Sequence, residues 1–333
     1  MPDQRCKVIV PTLNAARDWP RFVAPLLACV APEQVLIMDS ASTDGTPRLA
    51  TEAGFQVNSI PRAEFNHGGT RQLAAELSPE AEVLVYMTQD AVLAHPDSLP
   101  NLLAVFSGPE VAAVYGRQLP RPEAGAIEAH ARNFNYPAVS DVRDLASRER
   151  IGLKSIFISN SFAAYRRSSL FAVGGFRRDV IFGEDTLLAA KLLLKGYKVC
   201  YAANACVYHS HGYSWGQEFR RYFDIGVLHD RERALLGRFG GADREGQRFV
   251  ISELKFLREH DPGQIPSALV RTGLKYLGYR LGRMEGRLGD SVKRRISMQP
   301  SFWAGEGRAE SGSPMLRNPI PQPGSDTRPS WLP

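Results

Sequence analysis

The sequence predicts an α/β protein with a mixed, mainly parallel sheet flanked by helices, followed by a helical extension and a disordered tail. Three observations predict it. Apolar runs of strand length alternate with segments of helix length. Several of these runs stop abruptly in polar turns. From Ser267 the pattern changes to helical spacing rich in Arg and Lys, and from residue 299 to Pro, Gly and Ser with little to bury.

Lys7–Val10 reads as a first buried strand, ending in the turn Pro11-Thr12-Leu13-Asn14. Arg21–Cys29 suits a helix, and Val35–Met38 is a second strand stopped by Asp39-Ser40-Ala41-Ser42. Thr46–Gly54 reads as a helix with Gly54 as its stop. Phe55–Ile60 alternates with period two, as a strand does. Gly69–Leu77 is helical and Val83–Met87 is a further buried strand. In the second half, Phe162–Tyr165 suits a strand and Asp185–Leu194 a helix closed by Gly196. Lys198–Tyr201 and Ala205–Tyr208 read as two short strands, and Ser214–Leu236 as a helix. Between Ser267 and Met298, Leu274, Leu277, Leu281, Met284 and Leu288 recur at helical spacing beside eight basic residues. Such a segment either lies on an anionic membrane surface or packs on the body of the protein with a solvated basic face.

With 333 residues, 44% of them hydrophobic, the chain can bury a large core. It has no apolar run of spanning length, and its first residues lack the apolar segment of a signal peptide, so a cytosolic location is expected, possible membrane contact being peripheral. Cys6, Cys29, Cys200 and Cys206 include no Cys-x-x-Cys pair and are expected to be reduced. The net charge of +6 is concentrated towards the C-terminal helix, and no DNA- or RNA-binding motif accompanies it, so no nucleic-acid partner is expected.

Ligands of an open parallel sheet bind beyond the carboxyl ends of its strands, so the residues there matter most. The first strand is not followed by Gly-x-Gly-x-x-Gly, which disfavours a nicotinamide enzyme, and no phosphate-binding Gly-x-x-x-x-Gly-Lys-Ser/Thr loop occurs. Asp39-Ser40-Ala41-Ser42-Thr43-Asp44-Gly45-Thr46 offers a carboxylate to a base imide or ribose hydroxyls, or is a polar turn capping a helix. Thr88-Gln89-Asp90 offers one carboxylate to a divalent cation, or Asp90 is a helix cap. Glu184-Asp185 opens a helix, where the dipole favours negative charge, or serves as a general base.

In this order Pro11-Thr12-x-Asn14, Asp39-Ser40-x-Ser42-Thr43-Asp44, Thr88-Gln89-Asp90 and Glu184-Asp185 resemble family 2 glycosyltransferases of the GT-A, Rossmann-like fold, over about residues 6–225. Phe65-Asn66-His67-Gly68-Gly69-Thr70-Arg71 with Tyr208-His209-Ser210-His211 is most similar to the rhamnosyltransferase branch. The resemblance implies a transferase domain over 1–225, its nucleotide half at about 1–110 and its acceptor half at about 111–225. A basic helical extension over 226–298 and a tail over 299–333 would follow.

It also implies an inverting transfer of one sugar, L-rhamnose from dTDP-L-rhamnose, to a glycan or lipid-linked glycan in bacterial surface polysaccharide synthesis. A UDP- or GDP-hexose donor and an inactive nucleotide-sugar-binding scaffold are the alternatives. Pro11, Thr12, Asn14, Asp39, Ser42 and Gln89 would hold the nucleotide, and Asp90 would hold Mg²⁺ or Mn²⁺. Thr88 stands where the family's motif has its first carboxylate. His211 is then the expected second metal or diphosphate ligand, with His209 on the other side of a continued strand and structural. Asp185 would be the base with Glu184 supporting it. Arg71 could reach phosphate, and His67 the donor. Arg220 or Arg221, in a loose match to a Gln-x-x-Arg-Trp motif, would meet the leaving diphosphate.

Overall fold

The computed structural model describes residues 5–241 and 243–309. Its strands are β1 (Cys6–Thr12), β2 (Val35–Asp39), β3 (Gln56–Ser59), β4 (Val83–Met87), β5 (Val92–Leu93), β6 (Val111–Leu119), β7 (Asp141–Arg143), β8 (Phe162–Arg166) and β9 (Lys198–Tyr208). The helices of the first half are α1 (Trp19–Leu27), α2 (Thr46–Glu52), α3 (His67–Glu76), α4 (Ser98–Leu103), α5 (Ala126–Asn135) and α6 (Ser147–Ile151). Those of the second half are α7 (Arg167–Ala172), α8 (Glu184–Leu194), α9 (Trp215–Arg231), α10 (Arg233–Leu236), α11 (Asp243–His260), α12 (Ile265–Gly282), α13 (Asp290–Ile296) and α14 (Pro300–Ala309).

The strands form one sheet in the order β3-β2-β1-β4-β8-β6-β9-β5, with β7 also on β9. Pairs among β1, β2, β3 and β4 are parallel, as is β6 with β9, whereas β8 runs antiparallel to both β4 and β6. Both faces are covered. Val8, Val10 and Ile37 pack on one side with Phe22 and Leu26, while Ile9, Met38 and Tyr86 pack on the other with Leu187 and Leu188. This alternation along β1 and β2 explains why their sequences are unbroken apolar runs.

Three expectations are corrected, and one strand was not foreseen. The two short strands at 198–208 are one strand, whose partner on β6 jumps from Gly116↔Ala202 to Arg117↔Cys206. The intervening residues bulge out of that ladder and leave the strand itself intact. β6, a nine-residue strand in the middle of the sheet, carries no alternation because it is buried almost throughout. The basic segment 267–298 is not one helix: α12 stops at Gly282, and α13 starts at Asp290. Finally, residues 300–309, expected in the tail, form α14, where Trp303 is 1% exposed beneath Arg231 and Lys293. The rest of the expected tail, residues 310–333, lies outside the described residues.

Of the apolar residues at helical spacing, Leu281 and Leu288 pack against the core, whereas others do not. Leu277 and Met284 are 50% and 40% exposed. The buried seam is Ala268, Gly278 and Gly282, laid against α9. A Cβ at Gly278 or Gly282 would meet the carbonyl oxygens of Phe219 and Phe223 at 2.4 and 2.0 Å, so only glycine lets the two backbones approach this closely. Arg271 and Lys275 turn inward to Glu218, at 2.9 and 3.7 Å, Lys293 to Glu285, and Arg283 to Asp230. Among the described residues no helix is long and apolar enough to cross a membrane.

Candidate active site

The turns after β1, β2 and β4 are stitched together beyond the strand ends. Asp39 is buried, and its carboxylate accepts from Thr12 Oγ1 (3.1 Å), Ser42 Oγ (2.6 Å) and Ser42 N (2.9 Å). Ser42 Oγ in turn accepts from Asn14 N, and Asn14 Oδ1 accepts from Thr43 N. These bonds hold Asn14 and Ala41 in the left-handed region, at φ 50° and 56°. For Ala41 that conformation costs about 1–2 kcal/mol and needs such support. Gln89 spends its side-chain amide on both backbone groups of Leu13, at 2.7 and 3.1 Å, locking the β4 turn to the β1 turn. Pro11, the last residue of β1 but one, pairs with Met38. These residues therefore form one preorganised lip, as their positions at strand ends led us to expect.

Asp90 follows β4 and meets both histidines after β9. His209 Nε2 lies 3.4 Å from Oδ1 and His211 Nε2 3.6 Å from Oδ2. One ligand atom from each of the three lies within 4.8 Å of the others. His209 is thus not on the opposite side from His211. Residues two apart share one face of a strand, so alternation would not have separated them even if β9, which ends at Tyr208, ran on; the two rings pack edge to face at 4.6 Å. His209 is oriented from behind by Gln118, which sits 2.9 Å from Nδ1 and itself donates to Ser159. Burial opposes ionisation of Asp90, but the histidines outweigh it and hold its carboxyl well below the usual range. Burial, reinforced by His209, lowers His211 to about 4, so its imidazole is neutral near pH 7.

The set suits a divalent cation: one carboxylate and two imidazoles converge. The Thr88 hydroxyl beside them is buried without a hydrogen bond of good geometry, although it lies close enough to favour the Asp90 anion. Arg121, which the sequence reading did not single out, donates to the Asp90 carbonyl at 2.9 Å and lies 3.7 Å from its carboxylate. Arg121, Gln89 and Asp90 line a cavity of about 220 Å³.

Glu184 and Asp185 open α8, and their roles diverge. Glu184 is 4% exposed and accepts from Arg71 (2.8 Å) and Asn160 Nδ2 (3.0 Å). Burial disfavours its charge, but Arg71 and His67 overcome this and keep its carboxyl below the ordinary value. Half-buried Asp185 accepts from Asn160 N (3.2 Å) and Thr186 N (2.7 Å). Desolvation, then the charge of Glu184, pushes it up to about 7. Such a carboxyl is poised to take and release a proton near neutral pH.

Arg71 is therefore paired with Glu184. It reaches Glu184 because α3 starts tightly against the preceding loop of α8: a Cβ at Gly68 would lie 1.7 Å from the Arg177 carbonyl oxygen. His67 is likewise held, its Nε2 3.2 Å from Gln299 and its Nδ1 3.4 Å from Arg71. Arg221 packs over Tyr213, whose ring lies 5.3 Å from His211, whereas Arg220 faces a separate groove on the other side of α9.

The two carboxylate centres are joined by Ser159-Asn160-Ser161, which the sequence reading passed over. Ser159 meets Gln118, Asn160 meets Glu184 and Asp185, and the Ser161 carbonyl accepts from Thr88 N. A Ser-Asn-Ser triplet directly before the β8 strand was the available signal.

A mainly parallel sheet with such a lip, a cation-binding cluster and a separate carboxylate is the layout of a GT-A nucleotide-sugar transferase. Residues 83–223 match the family described as glycosyl transferase family group 2. The chain is 45% identical over 298 residues to the O-antigen chain rhamnosyltransferase RfbN of Salmonella typhimurium, covering 89% of this chain and 95% of that protein. It is 43% identical to the O-antigen chain rhamnosyltransferase WbaN of Salmonella anatum, with the same coverage. In fold it is similar to the mannosyltransferase PcManGT of Pyrobaculum calidifontis, solved in complex with GDP-Man and Mn²⁺ (TM-score 0.52, 19% identity, 92% of this chain and 87% of that one). The chain belongs to the family 2 glycosyltransferases and is an inverting enzyme of that class.

Breaking the buried ion pair gives the first prediction. Arg71→Met leaves the Glu184 charge unpaired and should destabilise the fold by about 3–5 kcal/mol, read by denaturant unfolding. Nucleotide affinity, measured by calorimetry below the melting point, should stay within twofold of wild type. A selective loss of nucleotide affinity would return Arg71 to the phosphate.

Proposed function

We propose that the enzyme transfers one L-rhamnose from dTDP-L-rhamnose to a growing surface glycan, with Asp185 as the general base. The observation that carries the reaction is the divergence of Glu184 and Asp185: one neighbour is fixed as an anion, the other raised to about 7 by burial and by that anion. The rhamnosyl donor is supported by the likeness to RfbN over 95% of its length.

In this reading Thr12, Asn14, Asp39 and Ser42 shape the lip that receives base and ribose, with Pro11 and Gln89 fixing its geometry. Asp90, His209 and His211 hold a divalent cation, and the two imidazoles favour Mn²⁺ over Mg²⁺. A cation bound there supplies charge neutralisation for the departing diphosphate. Arg121 and Arg221 add positive charge on the same side. Asp185 accepts the proton of the acceptor hydroxyl as that oxygen bonds to the anomeric carbon from the face opposite the diphosphate, which inverts the centre. Glu184, Arg71 and Asn160 position Asp185 and set its proton affinity, and His67 buttresses them.

The acceptor side is proposed to lie at a membrane surface and to receive a lipid-linked glycan. α12 and the turn after it expose Leu269, Val270, Tyr276, Leu277 and Met284, each between 40% and 66%, beside exposed Arg280 and Arg287. An apolar stripe with a basic border is the pattern of an interfacial helix. It faces away from α9, unlike the inward-turned Arg271 and Lys275.

Three outcomes follow. First, kcat/KM for the acceptor should fall about tenfold per pH unit below an inflection near 7. Asp185→Asn should lower turnover by about 10²–10⁴ with nucleotide affinity retained. Because the folded pKa lies above that of an unfolded carboxylate, the native state holds the proton more tightly. Wild-type stability should therefore decline as pH rises from roughly 4 to 7, a slope that Asp185→Asn lacks. Full turnover in the variant would remove Asp185 as base. Second, calorimetry should rank dTDP above UDP and GDP and show tighter binding with Mn²⁺. Gln118→Leu, which frees His209, should weaken Mn²⁺ binding by about 10–100-fold. Equal affinity for dTDP and GDP would sink the rhamnosyl donor. Third, Tyr276→Glu with Leu277→Glu should lower the fraction that sediments with anionic vesicles while the melting temperature holds. Unchanged sedimentation would leave α12 a simply solvated helix.

A further inference from the structure

A second concavity lies outside the strand-end site. It is a groove of about 430 Å³ whose lining comes from α9, α12 and α13, including Trp215, Phe219, Arg220, Leu274, Arg295 and Ile296. We propose that it binds the lipid diphosphate of the acceptor, the two arginines holding the phosphates and the apolar wall holding the first units of an isoprenoid chain. This rests on the reading that the acceptor is lipid-linked.

The charge pattern selects the ligand. Around the groove, Arg271, Lys275, Arg283 and Lys293 are each within ion-pair distance of a carboxylate. Arg220 and Arg295 have no such partner among the described residues, and both are exposed. The concavity thus presents two unneutralised guanidiniums to whatever enters it, and among the described residues no acidic side chain lines it. Guanidinium groups match phosphate oxygens in pairs. The remaining wall is aromatic and aliphatic. Trp215 is 49% exposed on it, an uncommon placement for so large a ring in a surface that meets nothing. An anion alone would leave that wall wet, and a neutral lipid would leave the arginines unmatched. An amphiphile with its phosphates at one end satisfies both.

Position selects the acceptor's own lipid. Trp215 is four residues beyond His211, so the groove rim lies within about 14 Å of the cation cluster along the chain. Ile296 precedes by three residues Gln299, whose amide touches His67 beside Glu184. That places the other wall within about 11 Å of the carboxylate pair's surroundings. Asp224 ties this wall down by accepting from Ser297 Oγ (2.7 Å) and Met298 N (2.9 Å). On α9, consecutive Arg220 and Arg221 diverge, the first into the groove and the second onto Tyr213 near His211. Leu274, on the groove, is one turn from Leu277 on the exposed stripe of α12, which gives the lipid chain an apolar way out.

The test uses the full chain with dTDP and Mn²⁺ saturating the donor site. Farnesyl diphosphate, kept below its micelle concentration, is titrated by calorimetry into wild type and into Arg220→Ala/Arg295→Ala. The variant should melt like wild type and bind at least tenfold more weakly, and wild type should bind farnesol and inorganic pyrophosphate more weakly than farnesyl diphosphate. Equal binding by wild type and variant, or pyrophosphate binding as well as farnesyl diphosphate, would overturn the groove. Initial rates with a lipid-diphosphate-linked glycan and the same glycan without lipid separate the two levels of the argument. Raised KM in the variant for the lipid-linked acceptor alone, with donor KM unchanged, supports the groove. Wild-type preference for the lipid-linked acceptor with no change of KM in the variant rejects the groove and keeps the acceptor. Equal use of both acceptors by wild type rejects both.

Discussion

The site depends on one buried interaction, the pair between Arg71 and Glu184. Both side chains are almost fully withdrawn from water, at 7% and 5% exposure. A carboxylate in that position would protonate if left alone, because burial penalises charge. Arg71 keeps it ionised, and Asn160 occupies a further acceptor position. Once Glu184 is a fixed anion, its neighbour cannot ionise cheaply. Asp185 feels desolvation first and then the Glu184 charge, and two backbone N–H groups only partly offset them. Two adjacent carboxylates in one helix turn thus acquire different protonation behaviour from partners 113 residues apart in sequence.

That pair also explains why the polar triplet before β8 is a hub. β8 is the antiparallel insertion between β4 and β6, so its start lies beside the end of β4. There Ser159, Asn160 and Ser161 address the histidine side, the carboxylate pair and Thr88 in turn. The Asp90–histidine cluster and the carboxylate centre are consequently positioned by the same three residues. Preorganisation of this kind matters for chemistry in which charge leaves on one side while a proton leaves on the other.

Much of this was legible in the sequence, for definite reasons. β1, β2 and β4 are buried on both faces and end in sharp polar turns, so their apolar runs and the positions of Asp39, Asp90 and Glu184-Asp185 stood out. β6 did not, because Ala112, Ala113, Gly116 and Arg117 give it neither a strong apolar run nor alternation. His209 was misjudged against the strand period itself, since residues two apart share a face and even a continued strand would have set it beside His211. The pairing of Arg71 with Glu184 was not legible, because the two are remote in sequence and only tertiary packing at Gly68 brings α3 to α8. α14 was missed because its helix is short and held by Trp303, whose burial under two cations no local pattern announces.

The C-terminal helices complete the same logic on the acceptor side. The glycine seam brings α12 so close to α9 that Arg271, Lys275 and Arg283 are drawn into ion pairs with α9. Had the packing used Leu277 and Met284, as their spacing suggested, the apolar side of α12 would have been consumed and its charges left outside. Glycine contact reverses this. It frees large apolar side chains for the outer face while Gln299 and Asp224 fasten the following segment against His67 and α9. The extension is therefore mechanically continuous with the residues that set the proton affinity of Asp185. An acceptor bound along it would be held by the same framework that holds Asp185, its proposed base.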